Sequence, residues 1–187
     1  MVTAVRPETR PSTAVVNGVS NGRIEVLIVE DEPLFLDLLC QALTTDRTEV
    51  VGVASDGETA VRLAYELTPD VVLADIHLPG KIDGIEAGLQ IKKHRPETGI
   101  VTLSAHKDRR YLTSIPMEYT NGWSYLLKQS VANMTVVIRA IEGSAIGLMA
   151  LDPEIAADLR PGEDCSLARL TQRQLEVFEL MAQGHSN

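Results

Sequence analysis

Four short apolar stretches of this sequence end in side chains that could do chemistry together. IEVLIV (24–29) is followed by Glu30 and Asp31, and DVVLA (70–74) by Asp75. GIVTLS (99–104) closes on Ser104, and WSYLL (123–127) runs into Lys128. Carboxylates brought to one rim are costly unless a cation neutralises them. Hard oxygen donors favour Mg2+, which keeps several waters and recruits phosphate oxygens. In that setting a carboxylate can act as a nucleophile toward phosphorus. A lysine and a hydroxyl beside it would stabilise charge on the phosphoryl oxygens.

Each residue has a plainer role when taken singly. An aspartate after a strand is ordinarily a helix cap or loop residue, and a lone lysine is a solvated charge. Tyr125 reads as a half-buried strand aromatic. Cys40, on the apolar stripe LFLDLLCQAL, reads as core packing. His77, His94, His106 and His185 are too dispersed for a metal cluster, although His77 and His106 would flank the rim.

The elements needed to assemble that rim are legible. With TEVVGVA (48–54), the apolar runs make five Val/Ile/Leu-rich segments of strand length. Between them lie amphipathic stretches: PLFLDLLCQALTT, GETAVRLAYELT, DGIEAGLQIKKH and a shorter one after Ser104, with VANMTVVIRAIEG following the last strand. This alternation predicts an α/β fold, a doubly wound five-stranded parallel sheet covered on both faces. In such sheets ligands bind beyond the carboxyl ends of the strands, where strand order reverses.

Composition narrows the function classes. Lys and Arg number 17 against 26 Asp and Glu, a net charge of −9, which argues against a surface devoted to nucleic acid or membrane. A hydrophobic fraction of 44% supports a real core. The two cysteines, Cys40 and Cys165, cannot make a disulfide scaffold and suit a reducing, cytoplasmic setting. No run approaches the ~18 apolar residues of a membrane span.

The motifs VLIVEDEPLFLDLL, VVLADIHLPG, IVTLSAH and SYLLKQ, in that order, resemble the response-regulator receiver domain of two-component signalling. The resemblance implies a flavodoxin-like receiver in which Asp75 is the phosphoacceptor and a histidine kinase the donor. It makes Glu30, Asp31, Asp75 and the His77 backbone carbonyl the ligands of Mg2+. Ser104 matches the switch hydroxyl, Lys128 the phosphoryl-contacting lysine and Tyr125 the aromatic switch. Some positions depart from the family pattern. Glu30 stands where Asp is commoner, and LPGKIDG is one residue longer than usual. Ser104 to Lys128 spans 24 residues, about two more than usual, and Pro116 should end the fourth helix early. Gln129 replaces a common proline, and a cis bond before it would cost about 2.5–4 kcal/mol.

The predicted organisation is a flexible tail (1–22), a receiver (23–143), a linker with a short helix beginning at Pro153 (144–168), and residues 169–187. The last stretch, within LTQRQLEVFELMAQGHSN, resembles the opening of a LuxR-type helix-turn-helix domain, with Thr171 as N-cap and Gln174 completing a capping box. Together these place the chain with NarL/FixJ-type transcription regulators. The two later helices, including the one that would enter the major groove, are not in the sequence, so no DNA-binding residue is assigned. The resemblance also makes a homodimer plausible, without fixing an interface. The residues also admit two other readings. One is a receiver working through protein contacts or independently of phosphorylation. The other is a phosphohydrolase, disfavoured because His77 stands where a second acid would be needed.

Overall fold

The computed structural model describes residues 22–107 and 109–156. The predicted tail, save its last residue, and the predicted helix-turn-helix opening (169–187) lie outside them, as does the later part of the linker.

Five strands alternate with helices in chain order. They are β1 (Ile24–Val29), α1 (Pro33–Leu43), β2 (Thr48–Ala54), α2 (Gly57–Leu67), β3 (Val71–Asp75), α3 (Gly84–His94), β4 (Gly99–Ser104), α4 (Arg109–Ser114), β5 (Trp123–Leu127), α5 (Met134–Ala145) and α6 (Pro153–Ala156). The strands form one parallel sheet in the order β2-β1-β3-β4-β5. Strand order therefore reverses beside β1 and β3, and those two strands end in Val29 and Asp75. This is the doubly wound α/β fold predicted from the sequence.

Alternation along each strand divides the core in two. Leu27, Val29, Val72, Ala74, Ile100, Tyr125 and Leu127 face one side with Ala60, Leu63, Ala64, Ile85 and Ile91 from α2 and α3. Val26, Ile28, Val71, Leu73, Val101, Leu103 and Leu126 face the other with Leu39 and Leu43 of α1 and Val137 and Ile141 of α5. Each fully buried Val, Leu or Ile contributes on the order of 1.5–3 kcal/mol, so both layers are needed to hold the strand ends in register.

Local signals start and stop the helices. Pro33 opens α1, where a missing N–H costs nothing. Asp56 caps α2 through the Thr59 N–H at 2.7 Å, and Asp83 caps α3 through the Glu86 N–H at 2.8 Å. Helix α4 ends at Ser114, two residues before the Pro116 expected to stop it, and a 3-10 turn (Met117–Tyr119) leads to β5.

The region predicted as linker carries structure that the sequence pattern did not reveal. Helix α5 runs to Ala145, and the chain then turns at Gly147 and lies along the outer edge of β5. The Tyr125 N–H donates to the Ala150 carbonyl at 2.7 Å, and the Asp152 N–H donates to the Tyr125 carbonyl at 2.8 Å. Leu151 thus pairs in parallel with Tyr125. Among the described residues, no helix is long and apolar enough to cross a membrane.

Candidate functional site

Strand ends deliver the charged residues to one place. Glu30 follows β1 and is buried, Asp31 beside it is exposed, and Asp75 ends β3 with only 4% of its surface accessible. Carboxylate oxygens of these three residues all lie within 4.8 Å of one another. Lys128 reaches between them from the end of β5. Its Nζ lies 2.8 Å and 3.1 Å from the two Glu30 oxygens and 2.9 Å from Asp75 Oδ2. The Phe35 ring of α1 sits 4.7 Å from the same ammonium and lines its approach.

The charges here do not balance: one ammonium faces three carboxylates. Burial is the main force raising the Glu30 carboxyl above its ordinary value, opposed by the Lys128 bond and the Glu32 N–H and reinforced by the Asp75 charge. For Lys128, burial lowers the pKa, but the bonds and charges of Glu30 and Asp75 outweigh it and the net direction is upward. The lysine therefore stays charged while the buried carboxylate bears the desolvation cost. A divalent cation would relieve that cost, and all-oxygen donors suit Mg2+.

The hydroxyl-bearing residues complete the rim. The His77 N–H donates to Asp75 Oδ1 at 3.1 Å and orients the carboxylate. The His77 ring turns away and meets the Tyr111 hydroxyl of α4 at 3.0 Å. Ser104 is buried at the end of β4, but its Oγ engages its own loop. It donates to the His106 carbonyl at 2.7 Å and accepts from the His106 N–H at 3.2 Å. The Tyr125 ring is buried, and its hydroxyl reaches the same carbonyl at 3.4 Å.

The site residues predicted from sequence thus surround Asp75, with Ser104 and Tyr125 tied to the loop beside it. Sequence reasoning missed Phe35, Tyr111, Asp152 and Glu154. Phe35 and Tyr111 carried no signal beyond an amphipathic stripe. Asp152 did: in Asp-Pro-Glu it reads as a helix N-cap, and its Oδ1 does accept the Glu154 N–H at 3.1 Å. What the pattern hides is that Oδ2 also takes the Leu127 N–H at 3.1 Å and the Ser130 hydroxyl at 2.5 Å, just around Lys128.

A five-stranded sheet of this order, with an acidic triad and a lysine at its switch point, is the architecture of a signalling receiver. The chain belongs to the response-regulator receiver domain family, which matches residues 26–139. Its relatives are transcriptional response regulators. It is 30% identical to the transcriptional regulatory protein DegU of Brevibacillus brevis, over 90% of this chain and 79% of that protein. It is 35% identical to LiaR of Bacillus subtilis, over 88% and 79%. Among solved structures, a LuxR-family two-component response regulator from Aurantimonas superposes with a TM-score of 0.63 at 26% identity, covering 73% of this chain and 94% of that one.

Proposed function

We propose that this chain is a cytoplasmic response regulator that takes a phosphoryl group on Asp75 from a histidine kinase, with Mg2+, and controls transcription through the resulting change of state. The observation that carries this reading is the unbalanced cluster around Asp75: three carboxylates, one lysine and no second acid at His77.

The chain's own residues have separable roles. Asp75 supplies the attacking oxygen; as its O–P bond forms, the P–N bond of the donor phosphohistidine breaks and the electron pair stays on the imidazole. Lys128, already on Asp75 Oδ2, contacts the incoming phosphoryl oxygens. The His77 N–H holds the carboxylate in position. Glu30, Asp31, Asp75 and the His77 carbonyl would hold the Mg2+, which supplies positive charge to the phosphoryl oxygens. Ser104 must leave the His106 carbonyl to donate to the phosphoryl group, and Tyr125 shares that carbonyl. The phosphoryl group then favours the rearranged loop because only that state offers it the Ser104 hydroxyl.

Output through DNA is supported by the relatives, which are transcriptional regulators, and by the helix-turn-helix resemblance of 169–187. Homodimerisation is proposed on the same resemblance. Incubation with Mg2+ and acetyl phosphate tests the central step. The wild-type chain should gain one phosphoryl group by intact mass, and Asp75→Asn should gain none. Absence of the adduct with both acetyl phosphate and a cognate kinase would favour the alternative, a receiver acting by protein contacts alone.

A further inference from the structure

The segment Gly147–Ala156 does more than connect. Its backbone pairs with Tyr125, whose side chain reaches the loop after Ser104. Ile155 of α6 is 1% exposed and joins the core layer that contains Tyr125, Ile115 and Leu151. Glu154 reaches both loops at the phosphoryl site. Its Oε2 pairs with Lys107 at 2.5 Å, on the loop after Ser104, and its Oε1 accepts from Gln129 at 2.8 Å, next to Lys128. Asp152 holds the Leu127 N–H and the Ser130 hydroxyl, which flank Lys128 along the chain.

One of these contacts, the half-exposed Lys107–Glu154 pair, ties the segment to the loop after Ser104, on which the serine is turned onto His106. We propose that Gly147–Ala156 is a strap that stabilises the resting state of the phosphoryl site, with Glu154 as a positioning residue, and that loading of Asp75 releases it. This rests on the reading of Asp75 as phosphoacceptor. The physical argument is competition for one loop. Ser104 can serve a group on Asp75 only by abandoning the His106 carbonyl, and moving His106 pulls on Lys107, which the strap grips. Strap docking and phosphoryl binding then oppose each other, and linkage makes the opposition reciprocal: whatever undocks the strap must tighten binding at Asp75 by the same factor. The strap is short and bonds to the sheet edge through two backbone hydrogen bonds, so its release leaves the five strands paired as they are.

Hydrogen exchange on the full chain, with Mg2+ and with or without beryllofluoride, tests this directly. Bound beryllofluoride is registered by its 19F resonance, which Asp75→Asn should abolish. The Asp152 and Tyr125 amides, both bonded across the strap, should exchange about tenfold faster or more when that resonance is present. Ile155→Ala, which loosens the strap from the core and leaves every charged residue around Asp75 in place, should raise resting exchange at those amides. It should also tighten beryllofluoride binding by about fivefold or more, the lower end of ordinary coupling. Glu154→Gln should shift both readouts in the same direction by a smaller factor. A bound 19F resonance with unchanged amides, or a loosened strap with unchanged affinity, overturns the strap and leaves the phosphoacceptor standing. No bound resonance at all overturns both.

Discussion

The carbonyl oxygen of Asp75 occupies the space that a side chain on residue 84 would need: a Cβ on Gly84 would sit 2.0 Å from it. The first turn of α3 is thereby pressed against the backbone of the acceptor residue, with the Gly84 N–H donating to the Ile76 carbonyl at 3.0 Å. Backbone cannot swing aside as a flexible side chain can. Gly84→Ala should cost about 2 kcal/mol or more in chemical denaturation, at the upper part of the overpacking range. It should also slow phosphoryl labelling, because relief requires moving Asp75 itself.

Lys128→Met removes the ammonium that bridges Glu30 and Asp75. Glu30 is then left buried against Asp75 without a counter-charge, and loss of one partner from a buried pair costs about 3–5 kcal/mol. Since the lysine is itself partly exposed, the lower end is expected. Mg2+ should restore more stability to this variant than to the wild type, because a ligand that binds only the folded state stabilises it by mass action. Thermal denaturation with EDTA and with Mg2+ reads the difference; equal shifts in the two proteins would contradict the proposed ion site.

Ser104→Ala separates the resting role of the hydroxyl from its role in the loaded state. In the resting structure the loss leaves the His106 N–H, on an exposed residue, without this acceptor, a change worth about 0.5–1.5 kcal/mol. The variant should still be labelled at Asp75, since at rest the Ser104 hydroxyl is engaged with the His106 backbone. Its acceleration of strap exchange by beryllofluoride should be much reduced, because the serine no longer draws the loop.

Lys92 provides a pH signature far from the rim. It is buried at the end of α3, with Nζ donating to the Pro96 carbonyl at 3.0 Å and the Asn121 carbonyl at 2.5 Å. Burial pushes its pKa down from 10.5 to about 8, against the opposing charge of Glu97. Between those values the unfolded chain holds a proton that the folded chain has lost, so stability rises with pH across that window and falls as pH drops through about 8. The full difference is about 3 kcal/mol. Urea denaturation at intervals from pH 7 to 10.5 should show a rise that Lys92→Met lacks.

How much of this was readable in the residues follows from range. The strands, their order of use and the charged residues at their ends are local patterns, so Glu30, Asp31, Asp75, Ser104 and Lys128 could be named from spacing and motif. The role of Gly84 was hidden because its constraint comes from a backbone atom of another element. The edge pairing of Leu151 was hidden for a related reason. ALDPEIA reads as a turn into a short helix, and nothing in its composition says that it bonds the N–H and carbonyl of Tyr125 on β5. The orientation of Ser104 was equally invisible, being decided by a rotamer and a loop carbonyl.

The pairing of Ala150–Asp152 with Tyr125 also bears on the solubility of any fragment of this chain. A sheet that stops at β5 presents a free row of donors and acceptors above a buried aromatic, an open invitation to another strand. The family match ends at residue 139, and a piece cut soon after α5 would retain the fold yet lack its edge cover. Such a piece would self-associate through β5, whereas one that extends past Ala156 carries its own shield against aggregation.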